Sequence, residues 1–355
     1  MAIDAGVHMV VPAMPLRDSD DLLNFNLLND SAYMDYDAWF DQQHLISAMT
    51  RACPQMKLRS PAEEDSPSMP VAHRWEVDIG SAPGFRMLSG YFWVGRPFKA
   101  WFEEELRRQR FLDHIATPQL GDDGGVGGGA AAAAAADSER GATIITIASQ
   151  FLVFRITDDA TGRDLALWND LSALVRFKEA PRAIAHEVLS LIKRPYIGVH
   201  FRTERDNIWS SFENQLRVDL DALDQIWAQY GSPGQEKPLI VLACGDESQI
   251  QRFADAAALR GWKTTSKYDI AKDDPETLRQ LRHLPFDFQG AVDMAIMLRS
   301  YFFLGITGSA LSSTVANMRD STGRYRGSSL FYADDGDART HLFNDGDASA
   351  YPCCL

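Results

Sequence analysis

The 355-residue chain has no run of about eighteen apolar residues, so no membrane-spanning helix is expected. Met1–Pro12 lacks the basic start and the long apolar core of a secretory leader. Cysteine is scarce: Cys53, Cys244, Cys353 and Cys354 are too few to staple a protein of this size. The terminal Cys353-Cys354-Leu355 is not a prenylation box, because Pro352 stands where the modified cysteine would have to be. Cysteine and histidine spacings do not fit zinc, no aspartate loop fits calcium, and no metal site is expected. Positive charge is also short, with Lys and Arg totalling 35 against 49 for Asp and Glu, a net charge of −14. A sequence pI near 5.0 excludes the basic face that a nucleic-acid partner requires. A small anionic ligand needs only a local cluster of donors and is not excluded.

The remaining composition is that of a globular protein, 45% hydrophobic and 24% charged, long enough for about two domains. Residues 1–195 are heterogeneous. Val7–Val11 reads as a short strand closed by Pro12. An amphipathic helix is expected from about Asp37 to Ala52, a second from Phe98 to Leu112, and strand segments within Thr143–Ile156. The stretch 121–137, glycines followed by alanines, superficially matches a dinucleotide-binding glycine pattern. No strand precedes it and no patterned face follows, so it reads as a low-complexity insertion without chemistry.

From Tyr196 the rhythm is regular. Strands at 196–202, 238–244, 262–265 and 301–305 alternate with helices at 212–230, 247–259, 275–282, 289–299 and 309–318. Buried strands alternating with crossover helices predict a parallel, doubly wound sheet. Cys244, at the end of one apolar strand, reads as a buried thiol. His186 and His283 read as helix-surface residues, and Trp75, Phe92, Trp93, Trp101 and Phe102 as core packing.

Two places in this half carry chemistry. In Tyr196-Ile197-Gly198-Val199-His200-Phe201-Arg202-Thr203-Glu204-Arg205-Asp206, an alternating apolar strand ends in a dense polar cluster. Ligands of open α/β sheets bind at such carboxyl ends, and an arginine there can grip a phosphate with two charge-assisted hydrogen bonds. A network of ion pairs pinning a loop reads equally well from the residues alone. In Gly305-Ile306-Thr307-Gly308-Ser309-Ala310-Leu311-Ser312-Ser313, a strand turns through small residues into a helix. Its exposed N–H groups make an anion site, while plain helix capping by Thr and Ser reads as well. Asp293 lies in the apolar Ala291-Val292-Asp293-Met294-Ala295-Ile296, where a buried carboxylate needs a partner. A lysine or arginine would serve, and so would the N1–H and N2–H of a guanine.

With these residues in view, the chain resembles the GDP-fucose-dependent O-fucosyltransferase superfamily. The segment IGVHFRTERD is similar to that family's first signature, His-x-Arg followed by acidic residues, in a form closest to fungal and plant O-fucosyltransferase-like proteins. The segment AVDMAIMLRSYFFLGITGSALSSTVANMRD is similar to its second signature. The resemblance is good over 196–320 and weak between about 60 and 190. It implies a GT-B-like α/β fold of two Rossmann-type domains. The expected division is an acceptor-side domain at 1–195, a donor-binding domain at 196–335 and a tail at 336–355. It also implies metal-independent, inverting transfer of fucose from GDP-fucose to a protein or glycan hydroxyl, with no cofactor beyond the donor itself. Carried across, Arg202 holds the departing diphosphate and Glu204 joins it in the catalytic set. His200, Asp206, Thr307, Gly308, Ser309, Ser312 and Ser313 line the donor, and Asp293 reads the guanine. Relatives mostly work in the secretory pathway. The family's N-terminal Gly- and Asn-containing loop has no counterpart, and Ala310 stands where many members have a polar residue. An incomplete N-terminal domain is therefore expected. Two alternatives follow: a catalytically impaired sugar-nucleotide-binding protein, or a transferase for a different nucleotide sugar.

Overall fold

Tyr196, Gly198 and His200 alternate with Ile197, Val199 and Phe201, and this period of two produces a strand with different demands on its two faces. In the computed structural model the strand spans Tyr196–His200 and is buried along its whole length. The structure describes residues 2–5, 7–15, 33–61, 71–77, 86–88, 91–93, 101–109, 142–146, 152–153, 161, 163–203, 210–306, 309–321, 327–333 and 339–342. Residues 121–137, Glu204, Asp206, Thr307, Gly308 and most of the 336–355 tail lie outside them.

The Tyr196–His200 strand pairs in parallel with Leu239–Ala243 on one side and Phe303–Ile306 on the other. Lys263–Thr265 extends the sheet beyond the former, and Ser329–Ala333 beyond the latter, both in parallel. Arg339–Leu342 closes the sheet as an antiparallel edge. Numbered along the chain, the six strands run in the order 3-2-1-4-5-6. This is the doubly wound arrangement, and its reversal point falls between Tyr196–His200 and Phe303–Ile306.

Each face of the sheet is covered by helices that bury opposite sets of residues. On one face Ile197, Val199, Phe201, Ile240 and Leu242 pack against Leu220 and Leu223 of helix Phe212–Tyr230 and Phe253 of helix Glu247–Leu259. On the other, Tyr196, Val241 and Phe303 meet Val292 and Ile296 of helix Phe286–Arg299 and Val315 of helix Ala310–Ser321. Fully burying one such side chain is worth ~1.5–3 kcal/mol, so these two layers hold the sheet together. Gly198 lies on this second face and has a steric reason to be glycine. A Cβ there would come within 2.6 Å of Met297 Sδ and 3.0 Å of Ser300 Oγ. The bare backbone lets helix Phe286–Arg299 lie close against the strand.

The chain divides into two compact units, and the sheet belongs to the one formed by Ala13–Leu45 with Thr161–Cys353. Helix Glu179–Leu191 lies before the expected boundary at Tyr196, yet it buries Ile184, Ala185 and Val188 in the same core as Val241 and Phe303. The other unit takes in Met1–Pro12 and Ile46–Ala160. Its described strands form small sheets, Met9–Val10 with Leu58–Arg59, Val71–Glu76 with Ala142–Thr146, and Arg86–Leu88 with Tyr91–Trp93 and Leu152–Val153. Trp75 stacks on Phe102 at 6.3 Å and joins Trp101, Leu106 and Val77 in a core, so these aromatics serve packing.

Several elements differ from the sequence expectation. The helix expected from Asp37 to Ala52 is broken into Tyr36–Trp39 and Gln42–Ala52. Phe40 adopts an extended conformation and bridges to Phe177. Asp41 restarts the helix, its Oδ1 accepting from the His44 N–H at 3.0 Å while its Oδ2 accepts from Arg176. Periodicity alone hides such a break, since Trp39, Phe40, Leu45 and Met49 continue near helical spacing through it. Helix Lys267–Ala271 is a further addition, opened by a capping box in which Ser266 and Asp269 satisfy each other's backbone N–H. Among the described residues no helix is long and apolar enough to cross a membrane.

Candidate functional site

The last ladder bond on this side of the central strand runs from the Phe201 N–H to the Ala243 carbonyl at 2.9 Å. His200, Arg202 and Thr203 cluster at this carboxyl end, beside the point where the strand order reverses. Alternation turns His200 to the face occupied by helix Ala310–Ser321, and there its Nδ1 lies 2.8 Å from Ser312 Oγ. The same hydroxyl accepts from the Ile306 N–H at 3.1 Å. One serine thus ties the ends of the first and fourth strands across the reversal point.

His200 is 9% exposed. Burial, and secondly the Arg202 charge, lower its pKa from 6.5 to about 3. A neutral imidazole carries one N–H. When Ser312 donates to Nδ1, Nε2 bears that proton and can be offered to an anion. Folded His200 should therefore show no protonation step by NMR between pH 5 and 8. The sign for stability follows: the unfolded chain binds a proton below pH 6.5 that the folded chain refuses until about pH 3. The stability contributed here is present above pH 6.5 and lost progressively as the pH falls through that window. An imidazole resonance assigned to His200 that titrates near 6.5 would overturn this.

Three buried serines stand at the start of helix Ala310–Ser321, Ser309 just before it and Ser312 and Ser313 in its first turn. Ser309 is its cap, its Oγ accepting from the Ser312 N–H at 3.3 Å. Ser312 is fully buried, and its hydroxyl serves Ile306 and His200. That placement makes Ser312 a connector between His200 and the strand Phe303–Ile306. Ser313 Oγ is buried with no hydrogen-bond partner among the described residues. Thr307 and Gly308 lie between this strand and helix but outside the described residues, as do Glu204 and Asp206.

Asp293 is paired with a lysine. Its Oδ2 accepts from Lys267 Nζ at 2.5 Å, with 5% of the lysine and 11% of the aspartate side chain exposed. Lys267 also donates to the Gln289 carbonyl at 3.2 Å. A lysine is one of the partners open to Asp293 on sequence grounds. Lys267 was not singled out from sequence, but a signal existed. It occupies the first turn of a helix, where the dipole disfavours a cation, so a carboxylate partner was to be sought.

A second residue missed from sequence is Gln215, fully buried in the first turns of helix Phe212–Tyr230. Its Oε1 accepts from the Arg202 N–H at 3.1 Å, and its Nε2 donates to the Arg202 carbonyl at 2.6 Å and the Ser210 carbonyl at 3.2 Å. One turn further, burial pushes the Asp219 carboxyl well above the usual carboxylate range. His186 and His283 are exposed, and Cys244 is a buried free thiol 3.2 Å from Thr203 Oγ1. Among the described residues no cluster of His, Cys, Asp and Glu could hold a metal ion.

No protein-family model matches the chain, and no curated protein matches it. Among solved structures it is similar to POFUT1 in complex with GDP-fucose, at 14% identity over 93% of this chain and 90% of that chain, with a TM-score of 0.45. POFUT1 in complex with GDP matches at 13% identity over 93% of this chain and 91% of that chain, again with a TM-score of 0.45. At those scores the likeness assigns no residue and no activity.

Proposed function

We propose that this protein is a glycosyltransferase that transfers fucose from GDP-fucose to a hydroxyl of a protein or glycan. The observation that carries the reading is the His200–Ser312 hydrogen bond across the reversal point of a 3-2-1-4-5-6 sheet, with Arg202 immediately beyond it. That crevice is where open α/β sheets receive nucleotides, and the residues beside it belong to the two segments that resemble the O-fucosyltransferase signatures. Arg202 stabilises the diphosphate as it leaves, neutral His200 donates a hydrogen bond to it, and the amino end of helix Ala310–Ser321 adds N–H groups and dipole. The acceptor oxygen bonds to the anomeric carbon from the opposite side while the bond to the β-phosphate breaks. GDP departs with that electron pair, and the acceptor's proton passes to a base. No metal is required, because the protein's own positive charge meets the diphosphate. Glu204 and Asp206 orient Arg202, and Glu204 stands with it in the catalytic set.

Asp293 is proposed to read the guanine edge with Lys267 beside it, the carboxylate accepting N1–H and N2–H. Titration calorimetry with GDP and UDP, followed by an assay for fucose release from GDP-fucose, tests the whole reading. Binding of GDP in preference to UDP, with fucose released by the wild-type protein, is the expected result. Absence of GDP binding defeats it. GDP binding without fucose release, with or without an acceptor, moves the protein to the alternative of a sugar-nucleotide-binding protein without transferase activity.

A further inference from the structure

The His-x-Arg pair lies at a strand end, where backbone hydrogen bonding to neighbouring strands runs out. His200 is still inside the ladder, paired in register with Ala243. Arg202 is beyond it, two residues on, where a chain leaving a sheet ordinarily gains several backbone conformations. Each of those would send the guanidinium in a different direction.

Gln215 removes that freedom. Its amide meets both the N–H and the C=O of Arg202, at 3.1 and 2.6 Å, and so reproduces with a side chain the two-bond contact that a neighbouring strand would have made. The second Nε2 hydrogen reaches the Ser210 carbonyl at 3.2 Å, just before the Ser211 cap of the same helix. Both donors and one acceptor lone pair of the amide are thereby engaged, which is what a fully buried primary amide requires. The helix supporting Gln215 is itself anchored on the sheet through Leu220 and Leu223, so the fixed point is rigid. The two members of the pair are consequently held from different helices and opposite faces. Ser312 aims His200, and Gln215 holds the backbone from which Arg202 extends.

We propose that Gln215 is a positioning residue that sets the direction of the Arg202 guanidinium toward the phosphates of the bound nucleotide. This rests on the nucleotide-sugar reading of the same site. The alternative is that Gln215 only fastens a loop and matters for folding alone. A double-mutant cycle on GDP affinity separates the two, using wild type, Arg202→Ala, Gln215→Met and the double variant, with the thermal midpoint of each measured without ligand. Methionine keeps the volume and loses all three hydrogen bonds. The expected result is that Gln215→Met weakens GDP by about tenfold or more in the wild-type background, but by less than about twofold once Arg202 is alanine. Equal weakening in both backgrounds, or none in the first, overturns the proposal.

Should Gln215→Met fail to fold, Gln215→Glu replaces it in the same cycle, since it retains an acceptor for the Arg202 N–H and loses at least one of the two donors. An intermediate loss that again vanishes without Arg202 supports the assignment, and an undiminished loss overturns it. Failure of the underlying reading looks different. In that case wild-type protein itself does not bind GDP, and the assignment of Gln215 falls with it.

Discussion

Arg202→Ala should lower the rate of fucose transfer, and the affinity for GDP, by on the order of a hundredfold or more. A hydrogen bond to a charged group contributes ~1.5–3 kcal/mol, and a guanidinium makes two in parallel to a phosphate. Each 1.4 kcal/mol is a factor of ten. The effect on rate should exceed the effect on ground-state binding, because negative charge on the β-phosphate grows as the glycosidic bond breaks. Arg202→Lys should recover only a part, since an ammonium keeps the charge but not the parallel fork. Stability should barely change, because Arg202 is only half-buried and its backbone is held by Gln215. Calorimetry with GDP and single-turnover kinetics with GDP-fucose measure both quantities. Wild-type affinity in Arg202→Ala would remove the residue from the site.

The second large effect concerns folding. Arg319 is 1% exposed in the interior of the sheet unit. Its guanidinium donates to the carbonyls of Met297, Ser300 and Tyr301 and to the hydroxyls of Ser328 and Ser329. The first three carbonyls belong to the last turn of helix Phe286–Arg299 and the chain leaving it, where the dipole is negative. Ser328 immediately precedes the next strand and Ser329 opens it. One side chain thus closes a helix end, the connection to strand Phe303–Ile306 and the start of strand Ser329–Ala333.

Arg319→Met keeps much of the volume and removes this whole set of hydrogen bonds, leaving buried acceptors such as the Ser300 carbonyl short of a donor at ~1–3 kcal/mol each before relaxation. A loss on the order of 3–5 kcal/mol is expected, visible as a large drop in the urea midpoint. Ser300 moves with it, and Ser300 is one of the groups against which Gly198 packs. A change below about 1 kcal/mol would show that the network is not cooperative.

Much of the sheet unit was legible from sequence because its signals are local. Helices Phe212–Tyr230 and Glu247–Leu259 match their expected spans, each with a polar cap, Ser211 and Asp246, and an apolar stripe behind it. The strand at Tyr196 was readable from its alternation, and the same alternation places His200 toward helix Ala310–Ser321. Strands Ser329–Ala333 and Arg339–Leu342 escaped, lying in a stretch where polar residues and glycines interrupt the pattern. Helix Glu179–Leu191 escaped because its partners, Val241 and Phe303, are distant in the chain.

At the site, the residue types were visible and their allegiances were not. Ser312 and Ser313 are adjacent serines of one helix turn, yet one hydroxyl bridges His200 and Ile306 while the other meets no partner among the described residues. Asp293 suits a base or a cation from sequence alone, and the lysine paired with it, Lys267, is 26 residues away in the chain.

A parallel, doubly wound sheet with a His-x-Arg pair at one strand end and serines opening a later helix is specified by local sequence pattern alone. Periodicity, caps and turns are carried by neighbouring residues, and neighbours suffice to read them. That the strand order reverses beside His200, that Ser312 meets its Nδ1 and that Gln215 grips Arg202 could be read only from the folded chain. Those outcomes depend on which elements lie side by side in space, and burial leaves each of these polar groups no stable alternative to the partner it finds there.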